Sequence, residues 1–438
     1  MNQTQLNQGL LDFLRASPTP FHAVKTMAEQ FLSHGFVRLY EKDEWHLQAG
    51  KRYFVTRNDS SIIAFDYGSG EPLSSGVRML GAHTDSPCLK VKPQPDINKQ
   101  GFYQLGVEKY GGMLLNPWFD RDLSMAGRVT YVNAAGDVCN GLIDFERAVA
   151  TVPSLAIHLD RKANEDRTVN VQTDMPIVLS LHDTDNPQEF RQLLSAQLTE
   201  QGNDVRQVLD YEIYCYDTQP PALIGLKQEF IASARLDNLL SCYVGLQALL
   251  EVDGGDKRAP ALLICTDHEE VGSASVAGAQ GTFLSTVLER FCSNNIQLSQ
   301  MTAQSMMISV DNAHGIHPNY ANKHDDNHGP LINQGPVIKI NANQRYASNS
   351  ETSALFRHLC QQNDIPVQTF VVRSDMGCGS TIGPIAATEV GVKTLDIGVP
   401  SFAMHSIREM AGAADPFYLY GALKAFCELQ QLPESSCV

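Results

Sequence analysis

Largely apolar runs that each end on an acidic or imidazole side chain recur along this chain. VRMLGAH at 77–83 leads into Thr84 and Asp85, PALLICT at 260–266 into Asp267-His268-Glu269-Glu270, and MMISV at 306–310 into Asp311. VQTFVV at 367–372 and VKTLDIG at 392–398 complete the set of apolar runs, without such an ending. Runs of this length and composition fit strands buried on both faces. Between them lie helical patterns. Leu6, Leu10, Leu11 and Leu14 fall at helical spacing in 4–15, and 21–33, 187–201 and 238–251 are further helix candidates. Apolar strands alternating with helices imply an α/β domain whose sheet is covered on both sides. Such sheets bind ligands beyond the carboxyl ends of their strands, which is where the polar residues fall.

The texture changes between about 92 and 229, where the pieces shorten and turns and prolines multiply. GFYQLGVEKYG, RVTYVN and LKQEFIAS read as β there, the last running just past the boundary. The expected organisation is therefore an α/β domain built from 1–91 and 230–438, interrupted by a β-rich domain at 92–229.

Composition removes several classes of function. The 438 residues carry 33 basic and 49 acidic side chains, a formal net charge of -16. That surface lacks the basic stripe that nucleic acid requires. No run of about 18 apolar residues occurs, so no membrane-spanning helix is expected. The N-terminus has no basic region ahead of an apolar stretch, so no secretory signal is expected and a reducing, cytoplasmic setting is the default expectation. None of the ten cysteines, Cys437 among them, has CxxC spacing; they read as small buried hydrophobes. No GxGxxG follows an early strand, and the glycine-rich stretch 377–383 is not a phosphate loop.

The polar residues after the strands make a coherent set. Taken singly, Asp237 reads as a helix cap and His405 as an ordinary histidine. Together, His83, Asp85, Asp237, Glu269, Glu270, Asp311 and His405 supply two imidazoles and several carboxylates at one sheet edge. Nitrogen and oxygen donors without thiolates suit Zn²⁺, Co²⁺ or Mn²⁺. Carboxylates crowded in one cleft repel one another, and metal charge resolves that repulsion. Two cations sharing a carboxylate can activate one water, with a neighbouring carboxylate moving its proton. Glu269 and Glu270 can divide the tasks of ligand and base, and the chemistry alone does not say which does which.

The longer motifs carry a resemblance. GAHTDSP at 81–87, WFDRDL at 118–123, IHLDRKAN at 157–164, ARLDN at 234–238, DHEEVG at 267–272, DNAHGIHP at 311–318, KINANQRY at 339–346, DMGCGSTIGP at 375–384 and AMHS at 403–406 occur in this order. Over residues 5–430 the chain resembles the M18 metallopeptidases, the aspartyl aminopeptidase family, in a bacterial style. The resemblance implies an α/β fold: a three-layer zinc-aminopeptidase sheet domain with an inserted β-rich dimerisation domain. It implies two divalent ions per subunit, Zn²⁺ first and Co²⁺ or Mn²⁺ as alternatives. His83 and Asp311 would hold one, Glu270 and His405 the other, and Asp237 would bridge them. Glu269 would be the general base, and Asp85 would orient the His83 imidazole.

The same resemblance implies release of single N-terminal residues from short peptides, Asp or Glu preferred. Lys339 sits at the position that binds the acidic side chain, although alone it reads as an exposed lysine. His314 and Tyr346 match substrate positions that stabilise an oxyanion or place the peptide carbonyl. Met376, Gly377 and Gly379 would form backbone around the pocket. His158, which beside Ile157 reads as core packing, would reach a neighbouring subunit's site in an oligomer built from dimers, a dodecamer in this family. The competing chemistry is a neutral-residue aminopeptidase, a carboxypeptidase, a deacetylase or another amidohydrolase using the same ligands. A peptide-binding protein without activity would be expected to lack Glu269, which is present.

Overall fold

A computed structural model of the chain describes residues 1–70, 72–185, 187–253 and 258–433, so Cys437 lies outside the described residues. Two compact units are present: Met1–Asp85 with Pro221–Met404 and Glu409–Val438, and Ser86–Pro220 with His405–Arg408.

Among the described residues, the first unit holds a nine-stranded mixed sheet. Its order is Val37–Arg38, Arg52–Arg57, Ser61–Asp66, Ala261–Thr266, Arg78–His83, Met306–Val310, Lys393–Gly398, Val337–Ile340 and Gln368–Val371. Successive side chains on a strand point to opposite faces, and both faces here are dry. In Ser61–Asp66, Ile62 and Ala64 join one core cluster while Ile63 and Phe65 join another. In Ala261–Thr266, Leu263 and Cys265 join the first and Leu262 and Ile264 the second. Helices Gln3–Ala16, Pro20–Ser33, Leu236–Leu250 and Asp415–Cys427 close the first face. Phe283–Glu289, Asn295–Ala303 and Ile382–Glu389 contribute to the second. The unit is thus a three-layer α/β domain with the sheet in the middle.

The first helix starts where its capping chemistry dictates. The Asn2 side chain accepts from the Gln5 N–H at 2.9 Å, and the Gln5 side chain accepts from the Asn2 N–H at 3.0 Å. This reciprocal pair satisfies two donors that the first turn otherwise leaves open. A smaller sheet in the same unit joins Ala222–Ile224, Phe230–Ser233, Glu409–Gly412, Pro400–Phe402 and Ala313–His314.

The second unit is an antiparallel six-stranded sheet in the order Val138–Asp144, Leu123–Asn133, Val205–Asp217, Cys88–Lys99, Phe102–Tyr110 and Ile177–Leu181. Pro93 and Pro95 interrupt Cys88–Lys99, and the register with Phe102–Tyr110 shifts between Val91 and Asp96. A proline cannot donate to the ladder, so the irregularity falls where the sequence places it. Trp118 and the helix Phe190–Glu200, through Phe190, Leu194 and Leu198, fill its core.

The contact boundaries fall at Ser86 and Pro220, compared with 92 and 229 from texture. Ladder pairing explains both offsets. Cys88 already pairs with Tyr110 in the six-stranded sheet, whereas Phe230–Ser233 pairs with Glu409–Gly412 in the first unit. In LKQEFIAS only Phe230–Ser233 is strand. No helix among the described residues is long and apolar enough to cross a membrane.

Candidate active site

Three adjacent parallel strands in the middle of the large sheet deliver the first groups. Arg78–His83 lies between Ala261–Thr266 and Met306–Val310, and Thr266 pairs directly with His83. Their carboxyl ends therefore bring His83, the Asp267–Glu270 segment and Asp311 to one edge. Asp311 reaches its place because the neighbouring strand ends in Gly398; a Cβ there would fall 1.8 Å from the Asp311 carbonyl oxygen.

His83 is buried, and its Nδ1 donates to the Asp85 carbonyl oxygen at 3.0 Å, with Asp85 Oδ1 at 3.3 Å. That bond selects the tautomer whose Nε2 is a lone-pair donor. His83 Nε2 lies 3.4 Å from Asp237 Oδ1 and 3.7 Å from Asp311 Oδ1. Burial draws the imidazole pKa down, but Asp237, Asp311 and Asp85 outweigh it and hold the pKa well above the ordinary value. Asp85 also gathers the glutamate pair: its Oδ1 accepts from the Glu269 N–H and its Oδ2 from the Glu270 N–H, both at 3.1 Å. Those glutamates sit on a single turn, Glu269–Val271, entered through His268 at φ 65 and left through Gly272 at φ 97. Burial, then Asp311, Asp237 and Asp85, raise the Glu269 carboxyl to about 7 against the opposing pull of His83.

Asp237 opens the helix Leu236–Leu250 with non-helical angles, as does Asn238. Glu409 Oε2 accepts from its N–H at 3.0 Å, and the Asn238 amide donates to the Val310 carbonyl at 2.8 Å, next to Asp311. Lys339 is buried, with Nζ 3.3 Å from Asp311 Oδ2.

This donor set fits a divalent metal. Donor atoms of His83, Asp237 and Glu270 all lie within 4.8 Å of one another. Ligand atoms about 2.1 Å from a tetrahedral ion sit about 3.4 Å apart, close to the two His83 separations. Five carboxylates, those of Asp85, Asp237, Glu269, Glu270 and Asp311, gather around His83 and Lys339, a strong demand for added positive charge.

Beside this cluster lies a cavity of about 240 Å³ that His314, Tyr346, Met376, Gly377 and Gly379 line. His314 closes the short strand Ala313–His314, reachable by solvent yet surrounded by protein. Burial, then Lys339, lowers its pKa. Burial and a hydrogen bond with Cys378 raise the Tyr346 phenol, keeping it protonated. A Cβ added at Gly377 or Gly379 would meet nothing within 4 Å, so these glycines leave the wall open.

The family model for the aminopeptidase I zinc metalloproteases (M18) matches residues 13–427. This chain belongs to the M18 aminopeptidases. It is a metallo-aminopeptidase by family, and the family is a zinc family. It is 57% identical over 432 residues to a probable M18 family aminopeptidase 2 of Pseudomonas syringae pv. syringae, covering 98% of this chain and 100% of that one. A chain from a cryo-EM structure of the Ape4 and Nbr1 complex superposes with a TM-score of 0.93 at 38% identity, over 97% of this chain and 86% of that one. The S. cerevisiae mApe1 dodecamer gives a TM-score of 0.85 at 27% identity, over 98% of each chain.

Two residues of the expected M18 site belong to the second unit. His405 Nδ1 lies 3.1 Å from the Gly112 carbonyl oxygen, and that contact holds its ring. His158 is exposed in a turn with Ile157 48% exposed beside it, so core packing does not describe it. Sequence reasoning missed Glu409, whose carboxylate positions the Asp237 backbone, and Lys323, His324 and Cys378, which line the cavity. Cys378 falls inside DMGCGSTIGP. Lys323 and His324 lie in an irregular loop segment with no periodic signal.

Proposed function

We propose that the chain is a cytoplasmic aminopeptidase that removes one N-terminal residue at a time from short peptides, Asp or Glu preferred, with two divalent cations at its site. The carrying observation is the convergence of His83, Asp237 and Glu270 donor atoms within 4.8 Å, with Glu269 beside them. His83 and Asp311 would hold one cation, Glu270 and His405 the other, and Asp237 both; Zn²⁺ suits these donors first, then Co²⁺ or Mn²⁺. When bound, the cations supply Lewis acidity and lower the pKa of water near them.

The remaining work belongs to side chains. A Glu269 carboxylate oxygen takes a proton from the attacking water as the new C–O bond forms, and then returns it to the leaving amine as the peptide C–N bond breaks. Asp85 holds that glutamate's backbone and the His83 ring in place. The protonated Tyr346 phenol and the His314 imidazole donate to the carbonyl oxygen as negative charge develops. Lys339, whose Nζ lies 3.3 Å from Asp311 Oδ2, would bind the acidic side chain of the substrate's first residue.

We further propose a homo-oligomer built from dimers, up to a dodecamer. The exposed apolar side chains Leu155, Ile157 and Leu159 support it, since such clusters mark interfaces. The alternative is a neutral-residue preference, which the apolar cavity walls Phe370 and Val372 favour.

The test is release of free aspartate from an Asp-initiated peptide, beside a Leu-initiated one, before and after chelation and after return of zinc, cobalt or manganese. Loss on chelation and recovery with metal is expected, with Asp ahead of Leu. Activity that survives full chelation would overturn the metal reading, and Leu ahead of Asp would overturn the acidic preference.

A further inference from the structure

Asp396 has no part in the proton transfer at Glu269, yet it is a carboxylate wholly buried on the strand Lys393–Gly398. Such a group is costly to bury unless its oxygens are bonded. Its Oδ1 accepts from the Thr381 hydroxyl and its Oδ2 from the Ala347 N–H, both at 2.6 Å. The Asp396 backbone is held as well. Its N–H donates to Ser348 Oγ at 2.9 Å, and the Ser348 hydroxyl donates to its carbonyl oxygen at 3.3 Å. Burial raises the Asp396 pKa, while the groups that donate to the carboxylate, and then the Lys339 ammonium, oppose the rise. Hydrogen bonds to a charged acceptor are about twice as strong as neutral ones, so this carboxylate is a firm anchor for both partners.

The two partners lie on either side of Tyr346. Ala347 follows Tyr346, so its N–H belongs to the planar peptide unit that joins them. Bonding that N–H to a central strand fixes the plane from which Tyr346 projects. Thr381 precedes the helix Ile382–Glu389 with extended backbone angles, but its side chain caps no N–H of the helix. Its hydroxyl goes to Asp396 instead. A Cβ added at Gly383 would fall 2.3 Å from both Asp396 carboxylate oxygens, so only glycine lets the carboxylate stand against this first turn. The positive end of the helix dipole favours a negative charge there. Thr381 also lies three residues after Cys378, which makes the hydrogen bond with the Tyr346 phenol. Both bonds of the carboxylate therefore converge on Tyr346, one at its peptide and one through the loop that meets its hydroxyl.

We propose that Asp396 is a positioning residue that holds the Tyr346 phenol where it donates to the scissile carbonyl oxygen. This rests on the role of Tyr346 in the aminopeptidase reading given above. A bond to a developing oxyanion strengthens in the transition state, so a displaced Tyr346 lowers kcat and leaves KM near its value. Asp396→Asn keeps both partners, since an amide oxygen accepts from the Ala347 N–H and the amide nitrogen donates to Thr381 Oγ1. Asp396→Ala keeps neither.

The experiment measures kcat, KM and metal content for the metal-loaded oligomer on an Asp-initiated peptide. The forms are unaltered, Asp396→Ala, Asp396→Asn, Tyr346→Phe, and Asp396→Ala combined with Tyr346→Phe. Asp396→Ala is expected to lower kcat about ten- to hundredfold, with KM and metal content unchanged. Asp396→Asn is expected to stay within about threefold of the unaltered enzyme. Tyr346→Phe is expected to lose at least as much as Asp396→Ala, and the double variant to fall within about twofold of Tyr346→Phe alone. Losses that multiply in the double variant overturn the proposal, because a residue that only stabilises the fold adds its effect whether or not the phenol is present. Asp396→Asn as slow as Asp396→Ala also overturns it, as does a risen KM with kcat unchanged. Native turnover in Tyr346→Phe removes that phenol from the mechanism and this proposal with it. An unaltered chain that releases no residue from Asp-, Glu- or Leu-initiated peptides overturns the aminopeptidase reading beneath both. Should Asp396→Ala not fold, Thr381→Val takes its place, because it removes one partner and leaves the carboxylate on Ala347. It is expected to lower kcat about two- to tenfold, and to add nothing to Tyr346→Phe. An unchanged kcat in Thr381→Val, or losses that multiply there, overturns the proposal.

Discussion

Asp85 shows how much of this site is held by one carboxylate. Both of its oxygens accept backbone N–H groups from the glutamate pair, and its own carbonyl fixes the His83 tautomer. Asp85→Asn turns one acceptor into a donor that faces an N–H. The expected outcome is a ten- to hundredfold weaker hold on metal, read as metal content after graded chelation. Glu269→Gln is expected to behave oppositely. It keeps the backbone bonds to Asp85 and removes only the proton acceptor, so metal content stays and turnover falls at least about a hundredfold. Near-normal turnover in that variant would remove Glu269 from the role of base. At this scale the sequence was informative where a polar side chain stands at or just past the end of a strand, as His83 and Asp311 do. It was silent on Glu409, because that contact joins residues 172 positions apart in the chain. No local pattern marks a buried carboxylate whose partner is a distant N–H.

Elements show a similar division. The strands Ala261–Thr266 and Met306–Val310 and the helix Leu236–Leu250 were legible because burial on all sides leaves continuous apolar runs. The five-stranded sheet was not, since its strands have two to four residues and exist through long-range pairing such as Ile231 with Ala411. Asp415, first residue of the helix Asp415–Cys427, braces this region. Its buried carboxylate accepts from the Asn333 N–H at 2.7 Å and the Gly335 N–H at 2.9 Å. Burial raises its pKa to about 7, with the two backbone bonds opposing. The folded state thus holds this proton more tightly than the unfolded chain, whose carboxyl titrates near 3.9. The stabilisation is complete below that value and is lost as pH rises through about 7. Asp415→Asn cannot ionise, so the stability gap between the native chain and this variant should narrow or reverse between pH 5 and pH 8, by on the order of 2–4 kcal/mol. Denaturant unfolding of both proteins at the two pH values checks it, and a gap independent of pH would contradict the assignment.

At the scale of the whole molecule, the texture change was visible because strands solvated on one face alternate, whereas the strands of the large sheet do not. The purpose of the inserted unit was not visible, because composition carries no record of a partner. His158 is where that purpose can be tested. It sits exposed beside Leu155, Ile157 and Leu159, a cluster expected to be covered in an oligomer. If the imidazole completes a neighbouring subunit's site, His158→Ala lowers turnover about tenfold or more while metal content stays unchanged. The decisive comparison mixes chains. A Glu269→Gln subunit retains His158, and a His158→Ala subunit retains Glu269. In an equal mixture assembled at random, about a quarter of the sites would pair an intact base with an intact neighbouring histidine, so about a quarter of the native turnover should return. A histidine that serves its own subunit gives no such recovery, because every site then carries one of the two lesions. Mass measurement of the mixed assembly, made alongside the assay, shows that both chains share one oligomer.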